Sequence, residues 1–295
     1  MPAKPLSSSN RLPAAAVHAN APVGIFDSGL GGLSVLRAVR AQLPDEAILY
    51  AADSLYAPYG ERDDDFIADR TLAIGEWLVQ QGAKALVVAC NTATAQSIAL
   101  VRERLPIPLV GVEPGIKPAA LQSKTRVAGV LATQVTLRSA RFQGLLERYA
   151  ADCRFLCQPG HGLVQAVERC DTGSAEVRAL LHGYLQPMLD AGADTLVLGC
   201  THYPFLDETI RDIVGDRLML IDTSLAIARQ LERVLDQHGM RVPAESGASV
   251  APRFFSTGDG SHQQKLAASL LHIDATVEQV TIPSRRTSTP DSRAA

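Results

Sequence analysis

The chain has 295 residues, 46% of them apolar and 20% charged, and a net charge of −3. That predicts one large globular domain or two ordinary ones with a real core, and it leaves no electrostatic footprint for nucleic acid or an anionic membrane. No apolar run approaches the roughly 18 residues that span a bilayer, and "MPAKPLSSSNRLPAAAVHANA" (1–21) lacks the continuous apolar stretch of a secretory signal.

Residues 1–21, rich in Pro, Ser and Ala, read as a disordered extension, and 282–295, ending in "SRRTSTPDSRAA", as a disordered tail. Between them the chain alternates. "VGIFDSG" (23–29) reads as a strand and a turn, "LSVLRAVRAQL" (33–43) as a helix, and "AILYAAD" (47–53) as a second strand. "DDFIADRTLAIGEWLVQQG" (64–82) reads as a helix with Phe66, Ile67, Leu72 and Ile74 at apolar positions, stopped by Gly82. "ALVVAC" (85–90) is a third strand, followed by a helix through 93–104 and a strand in "LVGVEPG" (109–115). The alternation predicts α/β lobes with open, mainly parallel sheets.

The second half repeats the first. Gly82-Ala83 stands eight residues before Cys90, and Gly192-Ala193 eight before Cys200; "AGVLATQ" (128–134) is the counterpart of "VGIFDSG". Two similar lobes are expected to face each other across a central cleft, one comprising 22–114 plus 224–281 and the other 115–223. In such sheets ligands bind beyond the carboxyl ends of the strands, where both cysteines fall.

The five cysteines (90, 153, 157, 170 and 200) are odd in number and suggest no disulfide framework, so a reducing cytosol is expected. Cys153, Cys157 and Cys170 read as small buried hydrophobes. Cys90 and Cys200 end equivalent strands beside polar neighbours, Asn91-Thr92 and Thr201-His202, and read as a reactive pair. A helix starting after each would favour its thiolate. A redox pair lacks a CxxC, a zinc site lacks further ligands at the right spacing, and a nucleophile with His202 as its base leaves Cys90 idle. Two-base proton transfer at carbon, one thiol on each face, uses the duplication directly.

"FDSGLGGLS" (26–34) puts Asp27 and Ser28 at the end of the first strand, before a glycine-rich turn that is not a Walker loop. Asp27 could hold an ammonium group or assist proton transfer, and Ser28 could bind a carboxylate. "YAPYG" (56–60) is a tight loop whose Tyr59-Gly60 could offer backbone N–H groups. His202 can tune the thiol beside it.

Together Asp27-Ser28-Gly29 with Gly31-Gly32, Pro58-Tyr59-Gly60, Cys90-Asn91-Thr92 and Gly199-Cys200-Thr201-His202-Tyr203-Pro204 resemble the glutamate racemase family, in the family's order and over about residues 22–275. The resemblance implies a bacterial cytoplasmic enzyme, independent of cofactors, that interconverts L- and D-glutamate for peptidoglycan. It implies that Cys200 takes the proton from L-glutamate and Cys90 from D-glutamate, assisted by His202 and Asp27. Asp27, Ser28, Tyr59, Gly60, Asn91, Thr92, Thr201 and His202 would hold the substrate, and Glu168, in "LVQAVER", matches an acidic residue near it. "CRFLCQPGHG" (153–162) departs from the family's pattern. Racemisation of aspartate, amide hydrolysis with a single cysteine, and sensing of an amino acid are the competing readings. A homodimer and regulation by a cell-wall precursor are both compatible with the sequence.

Overall fold

The computed structural model describes residues 18–243 and 250–284; the rest of the expected extension and tail, 1–17 and 285–295, lies outside the described residues. In chain order the elements are β1 (Val23–Asp27), α1 (Leu33–Gln42), β2 (Ile48–Ala52), α2 (Asp64–Gln80), β3 (Ala85–Val88), α3 (Asn91–Arg104), β4 (Leu109–Gly111), α4 (Ile116–Gln122), β5 (Val127–Ala132), α5 (Gln134–Arg138), α6 (Ala140–Tyr149), β6 (Arg154–Pro159), α7 (Leu163–Glu168), α8 (Ala175–Asp190), β7 (Thr195–Gly199), α9 (Asp207–Val214), β8 (Met219–Ile221), α10 (Ser224–Gln237), β9 (Arg253–Ser256), α11 (Ser261–Leu271) and β10 (Val277–Gln279).

Two parallel sheets result. The first runs β10-β9-β2-β1-β3-β4 and the second β6-β5-β7-β8. The order β2-β1-β3-β4 is the order β6-β5-β7-β8, so the duplication read from the glycines is a duplication of topology. Gly82 and Gly192 have φ of +89° and +84°. Each closes the helix before its strand in a conformation open to glycine and costly for residues with a Cβ.

The apolar runs are continuous because both sheet faces are covered. Along β3, Ala85 and Val87 pack with Leu33, Leu36, Ile227 and Leu231 on one side, while Leu86 and Val88 pack with Ile67, Leu78 and Val101 on the other. Each such side chain taken from water contributes about 1.5–3 kcal/mol. The clustering of Ile227 and Leu231 with Leu36 places α10 on the first sheet although it follows β8 in sequence. Around the second sheet, Leu131, Leu196 and Leu198 pack with Leu181 and Leu185 of α8, and Val130 and Val197 with Phe142 of α6.

Two expectations are corrected. Residue 282 does not begin a tail: Ile282 is buried against the α2 side of the first sheet, and its carbonyl accepts from Arg70 Nη1 at 2.6 Å. Cys157 and Cys170 are exposed, and only Cys153 of that trio is buried. Cys157 lies on β6, an edge strand covered on neither side as fully as β5 or β7, and Cys170 sits in the turn after α7 with φ +58°.

Candidate active site

Strand order reverses between β1 and β3 in one sheet and between β5 and β7 in the other, and their carboxyl ends meet. The Thr201 hydroxyl donates to Asp27 Oδ1 (3.2 Å), the Leu30 amide donates to Glu168 Oε1 (2.8 Å), and Thr92 Oγ1 lies 2.9 Å from Thr133 Oγ1. Each contact joins residues of different sheets. Ser34 Oγ adds a donation to the Thr201 carbonyl at 3.1 Å. This meeting is tight at Gly31: a Cβ there would stand 2.5 Å from Thr201 Oγ1 and closer still to His202 Nδ1.

The two thiols sit at this junction in different settings. Cys90 caps α3, accepting from the Ala93 amide (3.5 Å), and lies 3.4 Å from Ser28 Oγ. Cys200 is followed by a single 3-10 turn, Tyr203–Leu206, rather than by an α-helix, and the α-helical residues begin only at Asp207. Its partner is a side chain instead: His202 Nδ1 lies 3.6 Å from the Cys200 sulfur. The expectation of a helix N-terminus behind each thiol therefore holds for Cys90 alone.

Electrostatics separate the pair further. Burial, then the charge of Asp27, pushes the Cys90 thiol up to about 12, against the hydrogen bonds from Ser28 and Ala93; the charge of Cys200 raises it a little more. The cap does not produce a resting thiolate, because desolvation of a buried anion outweighs two weak donations. Asp27 is itself raised by burial, although His202 and the Gly29 amide pull it down. His202 is the reverse case. Burial works against its charge, but the bonds to Cys200 and Glu168 win and hold it well above its ordinary value. Glu168 is lowered because His202 and the Leu30 amide outweigh its burial.

Ser28, Asn91, Thr92 and Thr201 are buried at the junction, and Asn91 Nδ2 is a buried donor with no partner among the described residues, an atom with spare capacity for a ligand. The Tyr59 phenol is spent on Asp53 Oδ2 at 2.5 Å, so Tyr59 has only its backbone to offer; Gly60, Pro58 and Thr133 line one small pocket between the sheets. Glu168 stands behind His202, its Oε1 shared by His202 Nε2 (2.5 Å) and Leu30.

Thr133 was missed by sequence reasoning. Val23 pairs with Ala85 and Ala128 with Thr195, each partner three residues past its helix-stopping glycine, so Thr133 corresponds to Ser28. Carrying the alignment of "VGIFDSG" with "AGVLATQ" to its end would have found it. Among the described residues no three His, Cys, Asp or Glu side chains are grouped as a metal site requires.

Comparison with known proteins shows the family. A family model described as Asp/Glu/Hydantoin racemase matches residues 33–231. The chain is 61% identical over 254 residues to the glutamate racemase of Ralstonia nicotianae, covering 86% of this chain and 91% of that one. The chain belongs to the glutamate racemase family. It is accordingly a racemase, an isomerase by class. Two solved members share its architecture. The Francisella tularensis glutamate racemase, in complex with D-glutamate, has a TM-score of 0.77 at 26% identity, with 90% of this chain and 98% of that one covered. The Escherichia coli glutamate racemase, in complex with L-glutamate and the activator UDP-MurNAc-ala, has a TM-score of 0.78 at 32% identity, with 90% and 100% covered.

Proposed function

We propose that the protein interconverts L- and D-glutamate by two-base proton transfer, Cys200 acting on the L enantiomer and Cys90 on the D enantiomer. The observation that carries this reading is the pair of buried thiols at the ends of equivalent strands, each with its own acid–base neighbour, Asp27 for Cys90 and His202 for Cys200. Inversion needs a proton taken from one face and returned on the other. A thiol held protonated near 12 suits the returning role, and an imidazolium beside the second sulfur stabilises negative charge there. The substrate is held by Ser28, the Tyr59-Gly60 backbone, Asn91, Thr92, Thr133 and Thr201, fixed donors in a site closed to water that counter the weak acidity of the α-hydrogen.

The product supplies peptidoglycan in a bacterial cytoplasm. The test is circular dichroism of L-glutamate with the purified protein, run in parallel with L-aspartate and L-glutamine. Decay of the glutamate signal, with deuterium entering the α-position in D2O, supports the reading. Decay of the aspartate signal alone overturns it.

A second feature favours regulation by a cell-wall precursor. A cavity of about 620 Å³ lies where the chain crosses between the sheets, at Glu113–Lys117 and again near Thr223, and it gathers Arg102, Lys117, Arg141, Arg148 and Arg233. Among the described residues that line it only Glu113 is acidic, and it is paired with Arg141. Such a cavity fits a nucleotide diphosphate, the chemistry of the activator named with the E. coli enzyme. Racemisation measured with and without UDP-MurNAc-ala tests it; an unchanged rate at saturating nucleotide overturns it.

A further inference from the structure

The loop that carries Tyr59 and Gly60 is held from behind by a buried hub. Asp53, at the end of β2 and fully buried, takes four donations: Arg70 Nε (2.9 Å) and Tyr59 Oη (2.5 Å) on Oδ2, Arg70 Nη2 (2.8 Å) and Thr257 Oγ1 (2.8 Å) on Oδ1. Arg70 comes from the middle of α2 and is also fully buried, an unusual place for this side chain. Its fork clasps Asp53, its remaining nitrogen Nη1 reaches the Ile282 carbonyl at 2.6 Å, and its guanidinium lies 4.5 Å from the centre of the Tyr56 ring. Thr257, just past β9, accepts from the Leu55 amide at 3.2 Å. Thr257 thus holds one end of the loop, Leu55, and Asp53 the other, Tyr59, while Arg70 ties Asp53 to Ile282 and lies over Tyr56 between the two ends.

Arg70 is the member that no other residue could replace. A lysine would keep the charge but offer one point where three directions are needed. A charge buried this way adds little net stability over an apolar substitute, so stability alone is a poor account of the hub. Its consequence is positional. Gly60 abuts Thr133 across the junction, a Cβ at Gly60 standing 3.1 Å from that of Thr133. A shift of the Tyr59 anchor therefore moves the wall against which substrate is held.

We propose that Arg70 is a positioning residue for the substrate loop, fixing the Tyr59-Gly60 backbone through Asp53 and tying it to Ile282, past β10. The inference rests on the reading of Tyr59-Gly60 as a glutamate-binding backbone. The experiment uses the full chain carrying Arg70→Lys and, separately, Tyr59→Phe. It compares KM and kcat for both enantiomers and hydrogen–deuterium exchange of the 55–62 segment. Arg70→Lys is expected to raise KM about tenfold for both enantiomers while kcat changes less than about threefold, because a displaced wall weakens holding more than proton transfer. Exchange at 55–62 should quicken while the segments around Cys90 and Cys200 keep their rates. Tyr59→Phe should move both readouts the same way by less. A folded Arg70→Lys protein with unchanged KM and exchange overturns the proposal; if it fails to fold, unchanged values in Tyr59→Phe do so. A wild-type chain that does not racemise glutamate instead overturns the functional reading, and exchange at 55–62 then judges the hub by itself.

Discussion

Glu168 Oε1 lies 2.5 Å from His202 Nε2 and accepts the Leu30 amide of the opposite lobe with the same oxygen. One carboxylate oxygen thus orients the imidazole and fastens the lobes. With Nε2 bonded to Glu168, the imidazole presents Nδ1 to Cys200.

Glu168→Gln keeps the shape and removes the charge. It should lower the racemisation rate by about tenfold. It should also move the alkaline limb of the pH–rate profile to lower pH, because Glu168 helps to raise His202 and its loss lets the imidazolium deprotonate earlier. A pH–rate profile that keeps its alkaline limb unmoved would count against this role.

Cys90→Ala and Cys200→Ala should each abolish racemisation, since inversion loses a base on one face. A glutamate analogue that expels a leaving group after deprotonation needs only one base. The Cys90 variant should still eliminate from the L form and the Cys200 variant from the D form. Elimination assays in which both variants lose both enantiomers equally, or racemisation assays in which either keeps full activity, contradict the two-thiol mechanism.

Gly31→Ala should cost about a hundredfold in kcat/KM and lower Tm by several degrees, since overpacking a buried contact costs about 1–3 kcal/mol. The added Cβ would press on Thr201 and on an imidazole already held at both nitrogens, so the lobes must part to admit it. Steady-state kinetics and a thermal melt decide this together; wild-type kcat/KM would show that the junction yields at no functional cost.

The Cys90 thiol has a linkage signature. Its folded value, about 12, is raised above the ordinary 9.0, so its contribution to stability is fully present below pH 9 and is lost as pH climbs from 9 toward 12. Thermal melts across that range should fall more steeply for the wild type than for Cys90→Ser, whose hydroxyl does not titrate there. Parallel slopes would mean the thiol is not held neutral by burial.

Much of the architecture was legible because it is written locally. The apolar runs at 23–27, 85–88 and 195–199, the helix-stopping glycines at 82 and 192, and the cysteines eight residues beyond them are patterns within one or two elements. Period and turn chemistry suffice to read them, and the parallel sheets follow. That both thiols fall at strand ends was readable for the same reason.

Tertiary structure decided what depends on distance through space and on exclusion of water. No spacing announces that Glu168 meets His202, that Thr133 stands opposite Thr92, or that Arg70 joins Asp53 to Ile282; these pairs are 34, 41, 17 and 212 residues apart. The cap on Cys90 is a local feature that predicted a thiolate, and burial beside Asp27 reversed it. Sequence determined which groups stand at the carboxyl ends of the strands. Only packing determined their partners and protonation, because desolvation and charge act across the fold and leave no period in the chain.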